Sequence, residues 1–192
     1  LGAASAVLIL SVGMILAFTA RTCRSDSWRG AFRLASLGYA MPGAVVAVGI
    51  MMLSGLSDRL TAPFFLLSGS LVAVMFGYLT RFLAVSYQPI ATGMERLCSK
   101  LDEASQMLGH SQASTLWKVI LPLMKRPLLA AGMLVFVDVL KELPLTMILR
   151  PANFETLATK AFSLAKEGRI HESAVPSVCI VLAGIAVLLP LN

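Results

Sequence analysis

The chain has 192 residues, 57% of them hydrophobic and 14% charged, with a mean hydropathy of +0.82. A soluble domain needs a charged surface around its core, so this balance excludes a water-soluble globule and places most of the chain in lipid. The net charge of +6 sits in loops between apolar stretches, a pattern of membrane topology and not of a nucleic-acid-binding domain.

Lipid cannot satisfy backbone N–H and C=O groups, so spans must be helices of about 20 mostly apolar residues. Five segments meet or approach this length. The first covers residues 2–20 and carries no charge. The second covers 37–56, with Pro42 and Gly43 near its start, a pair that loosens helical hydrogen bonding and permits a bend. The third covers 63–79, with a continuation to 85. The fourth runs from 127 to 149 and carries Asp138, Lys141, Glu142 and Pro144. The fifth covers 174–191. The expected fold is all-α, a polytopic bundle of five transmembrane helices forming one domain over 1–192. No alternating barrel strands are legible.

Loop charge orients the bundle. Segment 21–36 holds Arg21, Arg24, Arg29 and Arg33 against Asp26, and segment 80–126 holds Arg81, Arg96, Lys100, Lys118, Lys125 and Arg126. Opposite them, 57–62 has Arg59 with Asp58, while 150–173 is nearly balanced. The positive-inside rule therefore puts 21–36 and 80–126 in the cytoplasm. The chain is apolar from Leu1 and again at its end, which is expected of a fragment of a longer protein. A signal peptide would carry its basic residues before the apolar run, and here they follow it. Cys23, Cys98 and Cys179 lack paired spacing and read as free thiols, and His110 and His171 stand alone. No catalytic, cofactor-binding or metal site is expected of them.

Segment 88–126 is too polar to cross the membrane, yet it is ordered in pattern. Leu97, Leu101, Ala104 and Leu108 recur at helical spacing among Arg96, Lys100, Asp102, Glu103 and Gln106. Gly109 then sits where a left-handed helix cap belongs. Ser111 is placed to cap a second helix with Leu116, Val119 and Ile120 on one face, before Pro122. Two short amphipathic helices joined at a glycine would lie on the inner membrane face and offer a projection to a partner.

The spacing Glu103-Ala104-Ser105, three residues, Gly109, nine residues, Val119-Ile120-Leu121-Pro122 resembles the EAA motif of the MetI-like permeases of binding-protein-dependent ABC importers. Ser105 replaces the second alanine and Val119 an isoleucine of that motif. The resemblance implies that Glu103, Ala104, Ser105, Gly109, Leu121 and Pro122 form a coupling helix docking on a cytoplasmic ATP-binding subunit. It implies further partners: an extracytoplasmic solute-binding protein, a second permease module (fused or homodimeric) and membrane lipid. The chain has no GxxxxGK[ST] phosphate loop, so it lacks this route to ATP hydrolysis, and ATP and Mg would be bound by the partner ATPase.

The stretches 34–43 and 138–158 are similar to ferric-iron importer permeases, in particular to the C-terminal module of two-module chains. That implies Fe(III) as cargo in a bacterial cytoplasmic membrane. Permeases for thiamine, sulfate or molybdate share much of the pattern. Asp138, Lys141 and Glu142 sit where lipid penalises charge by a few kcal/mol each. Asp138 is spaced to face both others along one helical side. Together with Pro42 and Gly43 they would line a translocation path or gate. The alternative places them at the outer end of the fourth helix, with Pro144 ending it and the charges reaching water. A different class, an ion-coupled secondary transporter, would need no ATPase and leaves the order of 95–122 unexplained.

Overall fold

A computed structural model describes residues 1–22, 37–61, 67–98 and 100–189, and every described element is helical. Helix α1 spans Gly2–Thr22, α2 Gly43–Thr61 and α3 Leu71–Glu95. Two short helices follow, α4 over Lys100–Met107 and α5 over Gln112–Leu123. Next come α6, Lys125–Leu140, and α7, Pro144–Leu149. The chain closes with α8, Leu157–Lys166, and α9, Ile170–Leu188. Helices α1, α2, α3 and α9 are each long and apolar enough to cross a membrane, and α5 with α6 passes the same test as a pair bent by 79°.

The first span starts at Gly2 as expected, but the boundaries of the later spans depart from the sequence expectation. The second span starts at Gly43, because Pro42 removes a donor and disfavours helical geometry at Met41, leaving 37–40 as a separate helical turn. That helix continues to Thr61, so 57–61 is its last turn and not a loop. The Asp58 carboxylate, buried there, accepts the N–H groups of Leu67 at 2.6 Å and Ser68 at 3.0 Å. The third span starts later and ends later than 63–79. Gly69, at φ +69, turns the chain, and the Ser70 hydroxyl caps α3 by accepting from the Ala73 N–H at 3.2 Å. Since α3 continues to Glu95, Arg81 is not the loop charge it was counted as, and the polar segment expected at 88–126 begins at 96.

The fourth span is not one helix over 127–149. It breaks after Leu140 and resumes at Pro144, since the residue before a proline avoids helical geometry and the proline cannot donate. The 16 residues of α6 give about 24 Å, short of a hydrocarbon core of about 30 Å, and α7 packs against α2 and α3 beyond the break. The fifth span begins at Ile170 instead of 174. Positions 23–36, which carry Cys23, Arg24, Asp26, Arg29 and Arg33, lie outside the described residues, as do Pro63 and 190–192.

The core has two storeys. One gathers Ala6 and Ile9 of α1, Ala47 and Ile50 of α2, Val74, Tyr78 and Phe82 of α3, Val135 and Val139 of α6, and Leu145 and Leu149 of α7. The other joins Met14 and Ala17 of α1, Ile90 and Met94 of α3, Ile120 of α5, Met124 and Ala131. Lipid gives no hydrophobic drive between helices, so close approach through small residues holds them. A Cβ on Gly13 would lie 2.4 Å from Ser86 Oγ, and one on Gly93 would lie 2.7 Å from Pro127. The second storey reaches α5, so the polar loop is anchored in the bundle.

Candidate functional site

The loop between α3 and α6 folds as two helices joined at a glycine. Gly109 has φ +81, a conformation that L side chains rarely adopt, and it closes α4 by donating to the Gln106 carbonyl at 2.9 Å while His110 donates to Ser105 at 3.1 Å. Ser111 caps α5, its hydroxyl accepting from the Ser114 N–H at 3.3 Å. Within α5 the turn Leu116–Ile120 widens to a π-helix, with the Leu121 N–H donating to Leu116. Pro122 follows at once and has no N–H to give Lys118, so the wider turn accommodates the defect.

Burial reverses the expected apolar face of α4. Of its residues only Ser105 is buried, whereas Leu101 and Ala104 are exposed, Leu108 is 80% exposed and Met107 90%. The seam between the two helices is a polar contact: Ser105 Oγ and Thr115 Oγ1 lie 2.8 Å apart, both buried. Thr115 also donates to the Ser111 carbonyl at 3.1 Å, so Ser105 is the donor across the seam. The serine that departs from the motif's alanine therefore staples α4 to α5. Glu103 is exposed in the first turn of α4, where a negative charge suits the helix dipole. Leu121 is half-buried and Pro122 exposed.

Arg21, at the end of α1, was legible only as a topology charge. Its Nε donates to Asp102 Oδ2 at 2.7 Å, and its other nitrogens reach the carbonyls of Met94, Leu97 and Cys98. Met94 lies in the last turn of α3, and Leu97 and Cys98 lie in the connection to α4. A cleft of about 710 Å³ opens beside this contact, lined by Arg21, Glu95, Asp102, Glu103, Gln106 and Thr115 among others.

The second charged group lies within the spans and is not the Asp138–Lys141–Glu142 row expected on one helical side. The expected contact of Asp138 with Lys141 is made, but the helix ends before Glu142 can join it. Asp138 pairs with exposed Lys141 at 2.7 Å, while Glu142 turns inward and meets Arg81 of α3 at 3.6 Å. Glu142 Oε1 also accepts the Leu145 N–H at 3.1 Å, satisfying one free donor at the start of α7. Thr146 donates to the Glu142 carbonyl and lies 2.5 Å from the Tyr78 hydroxyl. Gly43 faces the same pair, since a Cβ there would sit 2.0 Å from Arg81 Nη1 and 2.7 Å from Glu142 Oε1. Gly43, Glu142 and the unforeseen Arg81 thus form one cluster. Pro42 sits exposed at the adjoining break, and Asp138 with Lys141 forms a separate pair.

Beyond α7, Glu155 takes Lys160 at 3.1 Å and Arg150 at 3.4 Å. The hydrogen bond from Lys160, then the neighbouring charges, hold its carboxyl below the usual range.

Residues 9–192 match the model of the binding-protein-dependent transport system inner membrane component. The chain belongs to this family. It is a multi-pass inner-membrane permease component of the MetI-like ABC importer class, as the EAA spacing implied. Among individual relatives, PhnV of Salmonella typhimurium, named as a permease protein of a 2-aminoethylphosphonate transport system, is 28% identical over 156 residues, covering 80% of this chain and 57% of that protein. The Fe(3+)-transport system permease protein FbpB 2 of Haemophilus influenzae is 24% identical over 159 residues, 82% of this chain and 30% of its own length. A spermidine/putrescine transport system permease PotC homolog of Mycoplasma pneumoniae is 24% identical over 194 residues, 98% of this chain and 64% of that protein. The chain thus spans less than two thirds of each of these relatives.

Proposed function

We propose that the chain is the membrane-spanning module that admits a small solute from an extracytoplasmic binding protein, driven by ATP and Mg bound on a separate cytoplasmic ATPase. The observation that carries this reading is α4. It presents Glu103, Met107 and Leu108 outward, and it is held rigid by the Gly109 cap and the Ser105–Thr115 seam. Exposed apolar side chains at the tip of a fixed polar loop suit a protein partner better than water. In this reading Glu103, Ala104, Ser105, Gly109, Leu121 and Pro122 shape the projection that enters the ATPase, and a second permease module completes the pathway. Gly43, Glu142 and Arg81 act as the gate where the fourth span is broken, beside Pro42, with Asp138 and Lys141 flanking it.

Ferric iron is the proposed cargo, supported by the stretches 34–43 and 138–158 and by the relatives named for iron transport. A second reading, 2-aminoethylphosphonate, is favoured by the higher identity to PhnV. The deciding experiment reconstitutes the full-length permease with its ATPase and binding protein in vesicles. Uptake of Fe(III) and of 2-aminoethylphosphonate is measured with ATP hydrolysis, for wild type, Glu103→Lys and Gly109→Asp. Variants that insert but lose the ATPase, or lose transport-coupled hydrolysis, support the coupling assignment. Normal coupled transport in both sinks the coupling assignment and leaves the loop as a connector between spans.

A further inference from the structure

Helix α4 has a weak hold on the bundle. It buries only Ser105, and that contact stays within the loop, on Thr115 of α5. The α5 route into the bundle is apolar, through Ile120 into the storey that contains Met14 and Ala17. Among the described residues one direct polar link joins α4 to a membrane-spanning helix: Arg21 of α1 on Asp102, in the first turn of α4. The same guanidinium holds the Met94, Leu97 and Cys98 carbonyls, so it ties the end of α3, the start of α4 and the end of α1 at one point. Asp102 Oδ1 is buried with no hydrogen-bond partner, which leaves Arg21 as the counter-charge of that carboxylate among the described residues.

We propose that Arg21 is a positioning residue for energy coupling, making α1 and α4 move as one body so that a push on α4 reaches the transmembrane bundle through α1. Planarity is the reason an arginine stands there. Its fixed fork reaches a carboxylate on one edge and backbone carbonyls on the other, whereas a lysine ammonium is a point charge that serves fewer of them at once. The inference rests on α4 being the docking helix, and its test separates the two.

The test uses the full-length permease with its ATPase and binding protein, comparing wild type, Arg21→Lys, Arg21→Gln and Asp102→Asn, with Glu103→Lys as reference. Arg21→Gln should still co-purify with the ATPase and keep basal hydrolysis. Solute moved per ATP should fall about tenfold, the order expected when one link between coupled sites is removed. Arg21→Lys should fall between it and wild type, and Asp102→Asn gives the same reading if Arg21→Gln does not insert. Spin labels at Ser11 of α1 and Gln106 of α4 add a readout that mere destabilisation would not move. Their separation should be equal in nucleotide-free and ATP-trapped wild type, and differ between the two states in Arg21→Gln. The inference is overturned if Arg21→Gln and Asp102→Asn couple like wild type, or if the wild-type separation changes between states. If Glu103→Lys also transports normally, the docking assignment falls with it. If Glu103→Lys uncouples while the Arg21 and Asp102 variants do not, only the role of Arg21 falls.

Discussion

Two arginines of nearly equal burial are treated in opposite ways. The Arg21 side chain is 14% exposed and all three of its nitrogens donate, to Asp102 and three backbone carbonyls at the junction of α3 and α4. The Arg81 side chain is 19% exposed, yet its Nε and Nη1 are buried without a hydrogen-bond partner, its carboxylate stands at 3.6 Å, and the Phe82 ring is 5.7 Å away. A fully bonded guanidinium fixes one arrangement of the elements it joins. A half-bonded one in a low-dielectric interior has donors left to engage other acceptors when the helices shift. The contrast suits a permanent strut at the loop end and an exchangeable contact at the break in the fourth span.

The sharpest way to break this comparison is to remove one charge of the buried pair. Glu142→Leu leaves Arg81 without a counter-charge and should cost about 3 kcal/mol or more, read as a lower melting temperature of the purified complex. Adding Arg81→Met should restore most of that stability while transport stays impaired. If the single variant melts like wild type, the pair does not hold α3 to the break. Next in size is Gly43→Ala. The new methyl group must displace Arg81 or Glu142, at a cost of about 1–3 kcal/mol. Gly49→Ala, where nothing lies within 4 Å, is its control and should melt no lower than wild type.

At the loop end the effects are smaller and should appear in partner binding. Gly109→Ala forces a Cβ into the left-handed region at about 1–2 kcal/mol, so co-purification with the ATPase should weaken without being lost. Binding equal to wild type would mean that the shape of the turn does not matter. Ser105→Ala is the mildest change, about 1 kcal/mol, because Thr115 keeps its bond to the Ser111 carbonyl. A loss of coupling in Ser105→Ala larger than in Gly109→Ala would make the seam, and not the turn, the element that shapes α4.

Much of this molecule was legible from local chemistry. The apolar lengths, the loop charge and the spacing from Glu103 to Pro122 led to an all-α inner-membrane permease, and Gly109 and Ser111 occupy the cap positions their residue types suggested. Such features depend on hydrophobic run length, on glycine's access to positive φ and on a hydroxyl that reaches a nearby N–H, all set within a few residues. Other features depended on what stands across the bundle. Arg81 looked like a loop charge because the group that makes its place inside α3 tolerable, Glu142, stands 61 positions later. Asp138, Lys141 and Glu142 looked like one row because helical spacing cannot show that the helix stops at Leu140. Arg21 gained its partners only when α1 came to lie beside the end of α3 and the start of α4. Local periodicity decides which segments are helices, but a charge's partner is a question of distance in space, and only the packed bundle answers it.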